Sequence, residues 1–252
     1  MSVLPEDLHR ALIDVAGVPR LLVASDFDGT VAPIVSNPGD ARPLPAAADA
    51  LAALAALEST VTALISGRAL RDLRTLSGAP ADVHLVGSHG SEFDAGFAEA
   101  VDEARKALLA ELERTMTALA QRYPGATVEI KPVSVAFHVR NAAPALAQQA
   151  LDDALDAVRD WDIHITEGKA VREFAVIDTD KGAALAQLRG LNDANAVVFF
   201  GDDVTDEKAF RSLTDGDVGV KVGPGQTLAR YRVDSPDDVA AALAVLAHAR
   251  QR

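Results

Sequence analysis

Two aspartates, Asp26 and Asp28, stand one residue apart where an apolar run ends in "ASDFDGTVAP", residues 24–33. Carboxylates this close repel one another unless water or a cation separates them. Gly29 and Thr30 follow in a predicted turn, where backbone N–H groups can bind an anion such as phosphate. The stretch is therefore typical either of a solvated turn or of a site that holds a metal ion.

Polar side chains also follow two later apolar runs that predict strands, "TVTALI" and "AVVFF". They are Ser66, Gly67 and Arg68 after the first run, and Asp202, Asp203 and Asp206 after the second. In an open parallel sheet, ligands bind beyond the carboxyl ends of the strands. Three strand ends that carry such groups therefore predict one polar site at a single edge of the sheet.

The residue types in this predicted site suit phosphoryl transfer assisted by Mg²⁺, because carboxylates are hard oxygen ligands and the chain has no cysteine. Asp26 would attack phosphorus and form an aspartyl-phosphate. Asp28 would protonate the departing sugar oxygen and then deprotonate the hydrolytic water. Ser66 and Lys181, which begins a predicted helix over 181–190, would offset charge on the phosphoryl oxygens.

The order of predicted elements defines an α/β fold with an insertion. Short apolar runs alternate with alanine-rich helical stretches near both ends of the chain, which predicts a parallel sheet with helices on both faces. The middle of the chain differs, with a long helix over 97–123 and two pairs of adjacent strands around a second helix. We therefore predict a core made of residues 1–94 and 174–252, and a small α+β domain with an antiparallel sheet inserted at 95–173.

The composition of the chain limits the kinds of binding partner that we expect. The chain has 24 Lys+Arg against 37 Asp+Glu, a formal charge of −13, and 4% aromatic residues, so neither nucleic acid nor an anionic membrane is an expected partner. The absence of cysteine excludes disulfides and thiolate nucleophiles and fits a reducing compartment. No apolar run is long enough to span a bilayer, and the start "MSVLPEDLHR" lacks the order of a signal peptide. These features predict a cytoplasmic, monomeric protein with a small-molecule substrate.

Four short motifs, "DFDGTV", "ISGR", "DKG" and "GDDVTDE", resemble the ordered motifs of the haloacid dehalogenase-like (HAD) phosphatases. The resemblance implies a Rossmann-like core with an inserted cap domain of the larger, C2 type. Within that superfamily the stretches "GSHGSE", "VEIKPVSVAFHVR" and "EGKAVREF" are similar to those of trehalose-6-phosphate phosphatases. The resemblance extends from Leu21 to about Gly225.

The resemblance also implies roles for individual residues. Asp26 would be the nucleophile and Asp28 the acid and base, with Ser66 and Lys181 on the phosphate. The implied Mg²⁺ ligands are Asp26, the backbone carbonyl of Asp28, and Asp202, with support from Asp203 and Asp206. The substrate contacts implied are Gly29, Thr30, Gly67, Arg68, His89 and Glu92 in the core, and Lys131, His138, Arg140, Lys169 and Glu173 in the cap. For His89 and His138 the sequence leaves a purely structural role open.

The expected reaction is hydrolysis of trehalose 6-phosphate, downstream of a trehalose-6-phosphate synthase. One stretch departs from the family pattern and bears on which sugar is bound. The family usually has Glu-Val-Arg-Pro from the cap glutamate onward, whereas residues 173–176 here are "EFAV". The alternatives are a phosphatase of glucosyl- or mannosyl-glycerate phosphate or of sucrose phosphate, and a phosphomannomutase.

Two alternatives from a different class are a phospho-acceptor signalling module and an inactive partner of the synthase. A receiver module carries its phosphorylated aspartate after a central strand, whereas Asp26 follows the first predicted strand here. An inactive homologue would be expected to have lost Asp26 or Asp28, and both are present. The sequence therefore predicts an active enzyme.

Overall fold

The computed structural model describes residues 4–93, 103–131, 133–168, 170–177 and 180–251. The chain divides into two compact units, Met1–Asp94 with Asp180–Arg252, and Ala95–Thr179. None of the helices in the described ranges combines the length and apolar character that crossing a bilayer requires. The roles of the units as catalytic core and cap stay predictions.

The described elements follow in chain order. The first unit begins with α1 (Glu6–Ala16), β1 (Leu21–Ser25), α2 (Pro45–Ala55), β2 (Thr60–Ile65), α3 (Leu70–Ser77), β3 (Val83–Gly87) and β4 (Glu92–Phe93). The second unit contains α4 (Glu103–Ala120), β5 (Thr127–Ile130), β6 (Ser134–His138), α5 (Pro144–Ala157), β7 (His164–Gly168) and β8 (Val171–Ala175). The first unit continues with α6 (Lys181–Leu191), β9 (Ala196–Gly201), α7 (Asp206–Ser212), β10 (Val218–Val222), β11 (Tyr231–Val233) and α8 (Pro236–Arg250).

The sheet of the first unit has the order β11-β10-β9-β1-β2-β3-β4, with β1 between β9 and β2. All its pairs are parallel except the short antiparallel pair β3–β4. Leu21 and Val23 pack with α1, α2 and α8 on one face, while Leu22 and Ala24 pack with α6 and α7 on the other. Because both faces are covered, β1 is apolar until it reaches the polar edge.

Three elements are absent from the sequence prediction. Helix α1 buries Leu8, Leu12 and Val15 in the core, at the spacing of one helical face. Strands β4 and β11 have only two and three residues, too few for a period-two pattern. These elements extend the predicted α/β core.

The second unit is an antiparallel sheet of order β5-β6-β8-β7. One face carries Val135 and Phe137, which are buried with Leu112 and Met116 of α4. The opposite face carries Glu129, His138 and Glu173, because side chains alternate along a strand. The predicted start of the long helix, residues 97–102, lies outside the described residues.

Candidate active site

Asp26 is the first residue after β1 and is 4% exposed. Its N–H donates to the carbonyl of Phe200 (2.8 Å), so the backbone is still held by the neighbouring β9. Its Oδ1 accepts a hydrogen bond from Lys181 Nζ (2.5 Å), and its Oδ2 accepts one from Thr30 Oγ1 (3.2 Å). The carboxylate is thus buried and fixed at the centre of the sheet edge.

Lys181 is the first residue of α6, whose preceding residue Asp180 caps the helix by accepting the N–H of Ala183 (2.8 Å). The Lys181 ammonium also donates to Asp206 Oδ1 (2.7 Å). Asp206 Oδ2 accepts the N–H groups of the two residues that follow β9, Asp202 and Asp203, both at 2.9 Å. Asp206 therefore shapes the loop after β9 while it shares the lysine with Asp26.

Asp26, Asp202 and Asp206 form an acidic cluster in which one oxygen of each lies within 4.8 Å of the others. Burial, with repulsion from Asp206 and Asp202, outweighs Lys181 and raises the pKa of Asp26 to about 7. Burial and Asp206 likewise raise the pKa of Asp202. Burial alone would lower the pKa of Lys181, but attraction to the carboxylates of Asp26 and Asp206 outweighs burial and raises the pKa of the lysine. Three carboxylates around one ammonium leave the cluster short of positive charge.

Gly29 makes this cluster possible. Its φ is +84°, and a Cβ there would lie 2.1 Å from Asp202 Oδ2, so only glycine lets the carboxylate pack against this turn. The Gly29 N–H donates to the carbonyl of Ala32 (2.7 Å) rather than pointing to a ligand. Gly29 and Thr30, both predicted phosphate contacts, therefore support Asp202 and Asp26 in this structure.

Asp28 faces different partners from Asp26. Both its oxygens accept from Arg68, with Nε–Oδ2 and Nη2–Oδ1 distances of 2.6 Å each. Asp203 Oδ1 accepts the N–H of Val204 (2.6 Å). Of the five residues predicted at the metal, the side chains of Asp28 and Asp203 lie outside the cluster of three, because the first is bonded to Arg68 and the second to the N–H of Val204.

The loop after β2 is shaped by close contacts with His89 and by hydrogen bonds within the loop. Ser66 is 1% exposed, and its Oγ accepts the N–H of Arg68 (3.2 Å). A Cβ on Gly67 would lie 2.5 Å from the ring of His89, so glycine allows the ring to lie against this loop. His89 has φ +55° and donates its N–H to the carbonyl of Ser66 (2.9 Å). The backbone of His89 thus fixes the loop, and the substrate contact predicted for this residue stays a prediction.

Glu92 also has a positioning role. One carboxylate oxygen accepts the Ser88 hydroxyl, and the other accepts the N–H of Leu70 (3.3 Å) at the start of α3. Ser88 and His89 both have positive φ, a conformation that non-glycine residues adopt at a cost. Glu92 therefore holds a strained turn against the loop after β2.

The first unit has a cavity of about 630 Å³ at this edge. It is lined by predicted site residues, namely Asp26, Asp28, Ser66, Gly67, Arg68, His89, Lys181, Asp202 and Asp203. The other lining residues are Ile34, Val35, Pro38 and Thr205, and the sequence analysis did not single them out. It also missed Lys221, a buried lysine in β10 that donates to the carbonyl of Asp202. A lysine inside the apolar run "VGVKV" was the available signal.

Two of the sugar contacts predicted for the second unit, His138 and Glu173, lie on the polar face of its sheet. Glu173 accepts hydrogen bonds from Lys131 Nζ (3.1 Å) and Ser134 Oγ (2.7 Å). His138 pairs with Glu129 (3.0 Å), a residue that the sequence analysis did not single out. Both line a cavity of about 360 Å³ together with Arg140.

Lys169 lies outside the described residues. In the stretch that departs from the family pattern, Phe174 and Val176 are buried in the core of the second unit.

In this structure a buried carboxylate follows the first strand of a parallel sheet that is covered by helices on both faces. A lysine and further acids from distant parts of the chain surround it. These features identify the fold as that of the haloacid dehalogenase-like class. Sequence comparison assigns the chain to one family within this class. A family model described as trehalose-phosphatase matches residues 24–237, and the chain belongs to the trehalose-phosphatase family.

Comparisons with individual proteins support this family assignment. The trehalose-phosphate phosphatase of Mycobacterium marinum is 35% identical over 256 residues, 95% of this chain and 65% of the relative. A bifunctional trehalose-6-phosphate synthase/phosphatase of Thermoproteus tenax is 32% identical over 226 residues, 87% of this chain and 31% of the relative. This chain thus spans less than two thirds of either curated relative. The structure of Aspergillus fumigatus trehalose-6-phosphate phosphatase matches with a TM-score of 0.68 and 26% identity over 95% of this chain and 97% of that one.

Proposed function

We propose that this protein hydrolyses trehalose 6-phosphate to trehalose and inorganic phosphate, with Mg²⁺ and through an aspartyl-phosphate on Asp26. The observation that carries the proposal is the buried Asp26 carboxylate, bonded to Lys181 in a cavity that Asp28 and Ser66 also line. Family membership and the names of the relatives support the choice of trehalose 6-phosphate.

In the first step Asp26 attacks phosphorus and the bond from phosphorus to the sugar oxygen breaks. Asp28 supplies the proton that the departing sugar oxygen takes up. Lys181 and the Ser66 hydroxyl are the donors available to offset charge on the phosphoryl oxygens. The products of this step are free trehalose and phosphorylated Asp26.

In the second step a water molecule attacks phosphorus of the aspartyl-phosphate and gives a proton to Asp28. The bond from phosphorus to the Asp26 oxygen breaks, which releases inorganic phosphate and restores the carboxylate. Asp28 therefore has the same protonation state at the end of the cycle as at the beginning. Burial of Asp26 limits competing contact with bulk water.

The acidic cluster fits Mg²⁺. Its donors are carboxylate oxygens, and burial, together with repulsion between the carboxylates, raises the pKa values of Asp26 and Asp202. Asp26 and Asp202 would hold the ion, with the Asp28 carbonyl that the family resemblance implies, and Asp206 would support their loop. Bound Mg²⁺ would offset the negative charge of the phosphoryl group beside that of Asp26.

The polar face of the second unit is the proposed sugar-reading surface. Glu173 is held by hydrogen bonds from Lys131 and Ser134, which preorganises its carboxylate for hydroxyl groups. His138, Arg140 and Lys169 remain proposed contacts of the same kind. Action downstream of a trehalose-6-phosphate synthase is supported by the Thermoproteus tenax relative, whose name joins both activities. The monomeric state and the cytoplasmic location remain proposals from the sequence.

Phosphate release from a panel of phosphosugars tests this function. The panel contains trehalose 6-phosphate, sucrose phosphate, mannosylglycerate phosphate and hexose phosphates, each with Mg²⁺ or with a chelator. We expect the highest kcat/KM for trehalose 6-phosphate, with activity lost in the chelator and in Asp26→Asn. Interconversion of hexose phosphates with little phosphate release would instead favour a mutase.

The role of Glu173 is tested in the same assay. Glu173→Ala should reduce kcat/KM for the preferred phosphosugar more than for an aryl phosphate, because only the sugar has hydroxyl groups to read. Equal losses on both substrates would contradict a sugar-reading role.

A further inference from the structure

Arg68 lines the cavity and was expected to contact the substrate, but one edge of its guanidinium is already bonded within the chain. The edge that carries Nε and Nη2 makes two parallel hydrogen bonds to Asp28, both 2.6 Å long. This edge is one of the two that can bind a carboxylate or a phosphate in the fork geometry. A phosphate ligand would have to displace Asp28 to use it.

The chain holds Arg68 in this orientation from three sides. Its carbonyl accepts the N–H of Ser88 (2.7 Å), and its own N–H donates to Ser66 Oγ (3.2 Å). Its guanidinium carbon lies 5.7 Å from the centre of the Phe27 ring. The Arg68 side chain is 16% exposed, and that of Asp28 is 32% exposed. Both ends of the arginine are therefore fixed before any ligand arrives.

We propose that Arg68 is a positioning residue that aims the Asp28 carboxylate in both proton transfers, rather than a ligand of the transferred phosphate. This inference rests on the proposed function, because it concerns the residue that exchanges protons with the leaving sugar and with water. Within the described part of the first unit, the Asp28 carboxylate accepts its side-chain hydrogen bonds from Arg68 alone, so its direction depends on the arginine fork.

The proposal predicts a dependence on the leaving group. A sugar alkoxide is a poor leaving group and needs a proton from Asp28, whereas 4-nitrophenolate leaves without one. The value of kcat/KM reports the steps up to the first irreversible one, here transfer to Asp26 with departure of the alcohol. A misaimed Asp28 should therefore reduce kcat/KM for the phosphosugar and change it little for 4-nitrophenyl phosphate.

The experiment compares Arg68→Gln and Arg68→Lys with the wild type on both substrates, with Arg74→Gln as the matched control from an exposed position of α3. For the phosphosugar that the panel identifies, we expect Arg68→Gln to lower kcat/KM about 10²-fold, within the usual range for general acid catalysis. Arg68→Lys keeps the charge without the fork and should lose nearly as much. On 4-nitrophenyl phosphate both variants should stay close to the wild type.

A double-mutant cycle with Asp28→Asn completes the test. If Arg68 acts through Asp28, the double variant should lose no more on the phosphosugar than Asp28→Asn alone. Equal losses on both substrates, or losses that add in the double variant, would overturn the proposal and favour direct phosphate binding. Failure of the proposed function has a different signature, namely turnover that persists in Asp26→Asn. Thermal unfolding of each variant separates these outcomes from a folding defect.

Discussion

The individual residues of this site are arranged around an excess of negative charge. The Lys181 ammonium bonds two carboxylates at once, at 2.5 Å from Asp26 and 2.7 Å from Asp206. The ammonium of Lys221 donates to the backbone carbonyl of Asp202 and not to its carboxylate. A buried carboxylate without full compensation takes up a proton or a cation. This is the physical basis for proposing that a metal ion completes the site.

Stability should respond to Mg²⁺ in a pH-dependent manner. The pKa of Asp26 is about 7 in the folded chain, against an ordinary value of 3.8, so without metal the folded state binds the extra proton between these values. Stability without metal therefore falls as pH rises through this window. Because Mg²⁺ competes with that proton, the rise in Tm on adding Mg²⁺ should be larger at about pH 8 than at about pH 5.

Thermal unfolding with and without Mg²⁺ at both pH values measures this effect. Asp202→Asn should lose most of the increment, whereas Asp49→Asn, an exposed carboxylate on α2, should keep it. Equal increments at the two pH values would contradict the assignment of the cluster as a metal site.

At the scale of elements, the site is assembled by strand ends and one strained turn. β1, β2 and β9 are adjacent in the sheet order β9-β1-β2, so the groups that follow them meet at one edge. The turn at Ser88–Gly90 then fixes the loop after β2 through the N–H groups of Ser88 and His89. The orientation of Arg68 depends on this turn, which Glu92 holds in place.

Glu92→Ala tests whether this glutamate positions the loop or contacts the sugar. Loss of its bonds to Ser88 and to the start of α3 should destabilise the first unit by about 1 kcal/mol, the usual cost of a lost helix cap. It should also lower kcat/KM for trehalose 6-phosphate and for 4-nitrophenyl phosphate alike. A loss confined to the sugar substrate, with unchanged unfolding, would instead support the sugar contact expected from the sequence.

Much of the architecture was predictable because β1, β2 and β9 are apolar throughout and end abruptly in polar residues. That pattern sets the strand, its burial on both faces and the edge where the site lies. The sequence did not predict the pairing of Asp28 with Arg68, since the strand alternation stops at Ser25 and the following loop sets the side-chain directions. It also missed the supporting roles of Gly29 and Thr30, which depend on contacts with distant parts of the chain.

At the scale of the first unit as a whole, α8 packs on one face of the sheet with α1 and α2, and its last residue reaches the segments where the strands begin. Arg250 near its end donates to Thr60 Oγ1 and to the carbonyl oxygens of Ala16, Val18, Pro19 and Ser59, at 2.5 to 3.3 Å. These acceptors belong to α1, to the segment before β1 and to β2 and its approach. One side chain thus joins the two ends of a unit that the chain builds from two separate segments.

Arg250→Ala should lower the free energy of unfolding by about 2 kcal/mol, because it leaves several carbonyl groups without a charged donor. The value of kcat should remain unchanged, since the acceptors lie at the start of the strands and the cavity lies at their ends. Urea unfolding measures the first effect, and Arg10→Ala, which removes an exposed arginine, is the control. A stability equal to that of the wild type would contradict the role of Arg250.

The most direct test of the account is to find where phosphorus goes during turnover. Asp28→Asn is mixed with 4-nitrophenyl phosphate and Mg²⁺, quenched in acid within one turnover, and digested for mass spectrometry. This substrate is chosen because its leaving group needs no proton from Asp28, whereas hydrolysis of the aspartyl-phosphate needs Asp28 as the base and should be slow in this variant. The account predicts one phosphoryl group on the peptide that contains Asp26, and none when Asp26→Asn is added to the same chain. Phosphate release at the wild-type rate from Asp26→Asn, or a phosphoryl group on a different residue, would contradict it.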